Sequence, residues 1–176
     1  MTLIKKIERL NENQIERFSR QILIKEIGNN GQIKIMNTPV IIIGCGGLGT
    51  TVATYLSMLG INNLGLADHD KVSLSNLNRQ TLFDEENIND SKVKVIKKKL
   101  NLINSNMHLK IFDKKITTKN IDNIIKNYEI VLDCTDNFKS KYLINDQCFK
   151  YKKILISAAL YNFELQLFAF RSWHKN

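Results

Sequence analysis

Three glycines between two apolar segments constrain the fold of this chain more than any other feature. Gly44, Gly46 and Gly49 have the spacing G-x-G-x-x-G, directly after the apolar run VIII and directly before the helical pattern GLGTTVATYLSML. In such a turn the first glycine permits the tight bend, the second lets a phosphate approach the backbone, and the third lets helix pack on strand. The segment therefore predicts a buried parallel strand, an anion-binding turn and a helix.

Strand and helix patterns alternate along the rest of the chain. The predicted strands after the glycine turn cover 63–68, 108–114, 129–135, 153–160 and 162–170, and the predicted helices cover 91–104, 117–128 and 137–150. A long polar segment at 69–90 has no clear period and is expected to be a functional loop. The alternation predicts an α/β fold, a Rossmann-like doubly wound, mostly parallel sheet with helices on both faces.

An N-terminal helical segment precedes this core. The stretch NENQIERFSRQILIKEIG places Ile15, Phe18 and Ile22 at helical spacing, and Gly28 is expected to end the helix. The chain has 176 residues and one proline, so no linker is visible. We therefore expect a single domain over 1–176, with N-terminal helices at 1–38 and the Rossmann-like core at 39–176.

Composition excludes several classes of protein. The three cysteines, Cys45, Cys134 and Cys148, are far apart and form no C-x-x-C pair, which argues against a disulfide framework and a structural zinc and favours the cytoplasm. No apolar run approaches the roughly 18 residues of a membrane span, so no membrane partner is expected. The net charge is +9, but the lysines are spread along nearly the whole chain, so no nucleic-acid partner is expected.

Charged residues beyond the glycine turn indicate the ligand. Asp68 ends the next predicted strand, where a carboxylate would accept hydrogen bonds from ribose hydroxyls, so an adenosine nucleotide is expected. A triphosphate also needs cations, and Arg79 and Lys92 supply two of them. These residues favour ATP, and an NAD-dependent oxidoreductase remains the alternative.

Five segments together resemble one protein family. The segments GCGGLG, LADHDKVSLSNLNRQTLF, SKVKV and VLDCTDN, with FSRQILI upstream, resemble the ThiF/MoeB/HesA family, the bacterial relatives of the ubiquitin-activating enzymes. The resemblance runs from about Phe18 to Phe170. It implies adenylation, with ATP and magnesium, of the C-terminal glycine carboxylate of a ubiquitin-like sulfur carrier protein. The carrier would be of the ThiS type in thiamine synthesis or of the MoaD type in molybdopterin synthesis.

The resemblance also implies roles for individual residues. Gly47 would lie against the nucleotide, and Asp68 would hold its ribose. Three side chains would bind the phosphates: Asn76, Arg79 and Lys92. Asp136 would bind magnesium, and Arg20 would reach across a homodimer interface toward the terminal phosphate bound by the neighbouring subunit. The roles of Gly47, Asn76, Asp136 and Arg20 are implied by the family alone.

The family's zinc site is missing from the sequence. Family members continue beyond this point with two C-x-x-C pairs that hold zinc, and these cysteine ligands are absent from the 176 residues. We therefore expect exposed apolar surface around Phe163 to Phe170. Two hypotheses follow, an active adenylyltransferase and a catalytically impaired nucleotide-binding scaffold.

Overall fold

A six-stranded sheet forms the centre of the protein in the computed structural model, which describes residues 6–173. Its strands are β1 (Val40–Ile43), β2 (Asn63–Asp68), β3 (His108–Asp113), β4 (Ile130–Asp133), β5 (Ile154–Tyr161) and β6 (Glu164–Phe170). The spatial order is β3-β2-β1-β4-β5-β6. Strands β1 to β5 are parallel, and β6 pairs with β5 in the antiparallel sense.

Helices connect the strands and cover the sheet. They are α1 (Glu12–Arg17), α2 (Ser19–Ile22), α3 (Gly28–Asn37), α4 (Gly47–Leu59), α5 (Lys92–Ile103), α6 (Ile121–Ile125) and α7 (Phe138–Lys150). The long polar loop after β2 contains two short 3₁₀ turns, Leu74–Asn76 and Glu85–Asn87. Within residues 6–173, no helix has the length and apolarity needed to cross a membrane.

Two apolar clusters on opposite faces of the sheet explain why β1 is central. Val40 and Ile42 of β1 pack with residues of α4 and α5 on one face, while Ile41 and Ile43 pack with α6 and α7 on the other. Successive side chains of a strand point to opposite faces, so a strand covered on both faces must be apolar throughout. The predicted doubly wound α/β fold is confirmed.

The crevice that can hold a ligand follows from the strand order. The chain runs outward through β2 and β3 on one side of β1 and then through β4 and β5 on the other. In such sheets ligands bind outside the carboxyl ends of the strands, at the point where the order reverses. The loops after β1, β2 and β4 therefore meet at one edge.

The N-terminal segment differs from the expected single helix. It is broken at Phe18 into α1 and α2, and Gly28, with φ +54°, begins α3 rather than ending a continuous helix. Phe18 is buried because its ring packs against Gly60 at the end of α4. Ile15, which the helical spacing grouped with Phe18 and Ile22, is exposed. Tertiary packing of Phe18 thus overrides the local helical period.

The expected exposure of the C-terminal apolar segment is confirmed. Every residue of β6 is exposed, and the Phe168 and Phe170 rings stack with their centroids 5.8 Å apart. Strand β6 hydrogen-bonds to β5 along its whole length. Strand β6 therefore belongs to the sheet, but its apolar side chains do not belong to the core.

Candidate functional site

The glycine turn after β1 leaves no room for side chains where strand and helix approach. Gly44 has φ +91°, and a Cβ there would lie 2.7 Å from the carbonyl oxygen of Cys134. A Cβ on Gly49 would overlap the carbonyl oxygen of Gly44. Helix α4 begins at Gly47, so its first backbone N–H groups have no intrahelical acceptor and can bind an anion. The predicted strand–turn–helix geometry is confirmed, and this turn is the candidate phosphate cradle.

Asp68 lies directly against this turn. Its Oδ2 accepts a hydrogen bond from the Cys45 backbone N–H at 2.6 Å, and its Oδ1 accepts one from the Asp70 backbone N–H at 2.8 Å. Each oxygen keeps a second lone pair for another donor. The carboxylate therefore fixes the glycine turn and can still accept from a ribose hydroxyl.

Arg79 lies over Gly47. The Arg79 Cγ is 3.6 Å from the position a Gly47 Cβ would take, so the aliphatic part of this side chain lies in van der Waals range of the first residue of α4. Its guanidinium is exposed and donates to the Ser75 carbonyl at 2.8 Å and to Asn78 Oδ1 at 2.9 Å. The structure thus brings one predicted phosphate ligand to the cradle.

Asn76 belongs to the turn that carries Arg79. Its Oδ1 accepts from the Ser73 backbone N–H at 3.3 Å, and its carbonyl accepts from the Gln80 backbone N–H at 3.0 Å. These contacts shape the 3₁₀ turn and leave the side-chain NH₂ group available as a donor.

Lys92 is the first residue of α5, and its side chain is buried. Its Nζ lies 3.2 Å from Asp70 Oδ2, whose side chain is half exposed. Burial raises the pKa of the nearby Cys45 thiol, the Asp68 carboxylate adds to that rise, and the Lys92 ammonium opposes it. The charges of Lys92 and Asp68 therefore both affect the Cys45 thiol in the glycine turn, with opposite signs. A phosphate that reaches Lys92 would compete with Asp70.

Asp136 lies in the turn between β4 and α7. This turn contacts the glycine turn, since the Cys134 carbonyl oxygen lies 2.7 Å and the Thr135 nitrogen 2.9 Å from the position that a Gly44 Cβ would take. The Asp136 carboxylate is exposed, and its Oδ1 lies 3.4 Å from Asn137 Nδ2. Magnesium prefers oxygen ligands and commonly takes one or two carboxylates together with substrate phosphates. An exposed carboxylate beside a phosphate cradle fits that requirement.

Arg20 lies at the other end of the helical layer. It is exposed on α2, two residues after Phe18, which contacts the C-terminal end of α4 at Gly60. Helix α4 has 13 residues, so about 20 Å separates its two ends. Within one chain the structure therefore does not bring Arg20 to the glycine turn.

A buried polar cluster beside Asp136 was missed by the sequence reasoning. It consists of Asp133, Thr135, Lys141 and Ser157, and we call it the Asp133 cluster. Asp133 lies in a predicted strand and Lys141 in a predicted helix, and the sequence pattern assigned a role to neither side chain. The available signal was an acidic residue at the end of a buried strand followed by a lysine on the next helix. Gln80, which is also buried with its Nε2 facing Gly46, was missed as well.

A groove of about 410 Å³ opens next to this cluster, between α7 and the β5–β6 hairpin. Phe138, two residues after Asp136, lines it together with Tyr142 from α7. Gln166, Phe168 and Phe170 of β6 line the opposite side. The groove is mostly apolar and is open toward solvent.

Comparisons with known proteins agree with this geometry. The profile of the ThiF family matches residues 18–176. The chain is 40% identical over 161 residues to an adenylyltransferase and sulfurtransferase MOCS3 from Aedes aegypti. This alignment covers 92% of this chain and 37% of that protein. It is 35% identical over 165 residues to a probable molybdopterin-synthase adenylyltransferase from Gracilaria tenuistipitata var. liui, covering 93% of this chain and 46% of that one.

A solved structure shares the fold. The crystal structure of Escherichia coli MccB with ATP superposes with a TM-score of 0.74 at 29% identity, covering 81% of this chain and 44% of that one. The chain thus spans less than half the length of each of these three proteins.

Proposed function

This chain belongs to the ThiF family, and from that premise we propose that it adenylates the C-terminal glycine carboxylate of a ubiquitin-like sulfur carrier protein with ATP. One observation carries the proposal. The turns after β1 and β4 are in contact, which supports a single site formed by the phosphate cradle, the Arg79 side chain over Gly47 and the Asp136 carboxylate. The names of the relatives favour a MoaD-type carrier of molybdopterin synthesis over a ThiS-type carrier.

The proposed reaction joins two anions. A carboxylate oxygen of the carrier attacks the α-phosphorus of ATP, a new P–O bond forms, and the bond from that phosphorus to the bridging oxygen breaks to release pyrophosphate. Carboxylates are ionised near pH 7, so the reaction needs neither a side-chain nucleophile nor a general base. Instead it needs positioning and neutralisation of the triphosphate charge.

The residues of the site meet that need. The free N–H groups at the start of α4 would bind phosphate oxygens, and Arg79 and Lys92 would add positive charge. Asp68 would orient the nucleotide through its ribose. Asp136 would hold magnesium, which when bound screens the charge of the phosphates. Lys92 would exchange its contact with the half-exposed Asp70 for a phosphate oxygen.

Pyrophosphate exchange into ATP, measured with a carrier ending in Gly-Gly, tests the proposal. We expect carrier-dependent exchange, and we expect Arg79→Ala and Asp136→Ala to lower its rate by about 10²- to 10³-fold, the usual cost of removing one electrostatic stabiliser of a transition state. Lys94→Ala is the control, because the Lys94 side chain is exposed and pairs with Asp113 at 3.4 Å. Measurable ATP binding without any exchange would instead support the scaffold hypothesis.

A second experiment tests the proposed homodimer with Arg20 acting in trans. Arg20→Ala and Lys92→Ala chains should each be inactive alone, because every site of either dimer lacks one residue. A mixed dimer contains one intact site, so an equal mixture should regain about a quarter of wild-type exchange in a two-fold symmetric assembly. No recovery on mixing, with both variants folded, would refute the trans arginine.

A further inference from the structure

Asp133 is a buried carboxylate whose hydrogen-bonding capacity is used within the protein. Its side chain is 1% exposed. The Oδ2 atom accepts from Lys141 Nζ at 3.0 Å and from Ser157 Oγ at 2.7 Å. The Oδ1 atom accepts from the backbone nitrogen of Thr135 at 3.0 Å and from its Oγ1 at 2.6 Å. With four donors on two oxygens, Asp133 has no lone pair left for a ligand of its own.

Lys141 connects the first turns of α7 to the sheet. Besides Asp133, its Nζ contacts the Ala158 carbonyl oxygen at 3.1 Å and Ser157 Oγ at 3.4 Å. An ammonium group has three donors, and Lys141 therefore uses all of them on β4 and β5. Its side chain is 21% exposed, so the pair with Asp133 is shielded from solvent. The cluster fixes α7 relative to the carboxyl ends of both strands.

Asp136 lies between two anchored residues, of which the first is held by this cluster and the second by the helix cap of α7. On one side Thr135 is held by Asp133. On the other side Asn137 caps α7, its Oδ1 accepting from the Ser140 backbone N–H at 2.9 Å. The backbone around Asp136 is thus held at both neighbours, whereas its carboxylate is exposed.

We infer that Lys141 is a positioning residue for magnesium binding, because its ion pair with Asp133 sets the place of the Asp136 carboxylate relative to the glycine turn. This inference rests on the proposed function, in which Asp136 holds the magnesium of Mg·ATP. Lys141 itself does not touch the nucleotide or the metal. Removing residues that orient metal ligands commonly lowers metal affinity or activity by about 10- to 100-fold.

Titration calorimetry with ATP, in the presence and absence of Mg²⁺, tests the inference without using catalysis. The ratio of the two dissociation constants is the magnesium gain. Lys141→Met should lower this gain by about 10- to 100-fold while changing metal-free ATP binding far less. Lys150→Met is the matched control on the same helix, because Lys150 pairs with Asp122 at 3.1 Å but is 56% exposed. It should keep the gain within about twofold.

Two further variants keep the inference falsifiable if Lys141→Met does not fold, since it leaves Asp133 buried without its cation. Lys141→Arg keeps the charge and should keep the gain within about threefold. Thr135→Val removes only the hydroxyl donor to Asp133 and should lower the gain by several-fold. A full gain in folded Lys141→Met, or in Thr135→Val where Lys141→Met is unfolded, would overturn the inference.

Asp136→Asn separates failure of this inference from failure of the proposed function. If Asp136→Asn abolishes the gain and Lys141→Met keeps it, only the positioning role of Lys141 is wrong. If the wild type has no gain, or Asp136→Asn keeps it, the metal role of Asp136 is wrong and the positioning role is wrong with it. Adenylation itself is judged separately by pyrophosphate exchange.

Discussion

Strands β1 and β6 belong to the same sheet and are both apolar, yet their environments are opposite. The four residues VIII of β1 are at most 2% exposed, whereas the apolar side chains of β6, from Leu165 to Phe170, include rings and aliphatic chains that are 40–64% exposed. β1 lies between β2 and β4 with helices over both faces. β6 is an edge strand that, within residues 6–173, pairs only with β5.

The difference shows that coverage, not composition, makes a strand part of the core. Leu165 and Leu167 lie on one face of β6, and Phe168 and Phe170 lie on the other. On the second face, Phe168 and Phe170 line the groove between α7 and the β5–β6 hairpin, and this groove is open toward solvent. An exposed apolar edge of this kind can bind a partner or promote aggregation.

The largest expected effect compares truncation on the two strands. Ile42→Ala should lower the free energy of unfolding by about 2–5 kcal/mol, because it leaves a cavity in a closed core. Leu167→Ala should change it by less than about 0.5 kcal/mol, because solvent already reaches that side chain. Urea unfolding followed by circular dichroism measures both. Equal losses would mean that β6 is covered in solution.

A smaller effect is expected in the turn that follows β1. Gly49→Ala should cost about 1–3 kcal/mol, since its Cβ would overlap the Gly44 carbonyl and the backbone must shift. Gly46→Ala is the control, because the nearest atom to its Cβ would be Gln80 Nε2 at 3.8 Å. We expect its unfolding free energy to stay within about 0.5 kcal/mol of wild type. Thermal unfolding of both variants decides whether the third glycine is required by packing.

Lysine substitutions on β6 test its exposure in a second way, because they add a charge to the strand instead of removing apolar atoms. Leu165→Lys and Leu167→Lys should leave the unfolding free energy within about 0.5 kcal/mol of wild type and should reduce aggregation, because lysine on an edge strand opposes pairing between sheets. Light scattering at several protein concentrations measures the second effect. Strong destabilisation by either lysine would contradict the exposure of this face.

The smallest effect concerns the helices that cover β1. The Tyr151 hydroxyl and then the Lys150 ammonium hydrogen-bond to Asp122 and hold the pKa of that carboxyl below its ordinary value. A lowered folded pKa stabilises the protein above the unfolded value of about 3.9, and this contribution is lost as pH falls through the folded value. Tyr151→Phe should therefore lower Tm slightly at neutral pH and not in strong acid. Tyr161→Phe, on the exposed hairpin, should have no effect at either pH.

Much of the fold and part of the candidate site follow from local patterns. The apolar run of β1, the glycine spacing and the helical period of α4 act within about twenty residues, so the strand, turn and helix could be predicted together. Asp68 and Arg79 were predicted beside the turn, and both lie there. The break at Phe18 was not predictable, because it depends on contact with Gly60, more than forty residues later.

By itself, the sequence determined which segments become strands and helices, because this depends on the periodicity of apolar residues along the chain. It also determined which side chains are available for chemistry, because the charge of each type follows from its ordinary pKa. Only the tertiary structure decided which charges are already paired. Lys92 and Lys141 look alike among many lysines, but one pairs with a half-exposed carboxylate and the other with a buried one. Such pairing depends on the juxtaposition of distant chain segments and on exclusion of water, and neither is a property of local sequence.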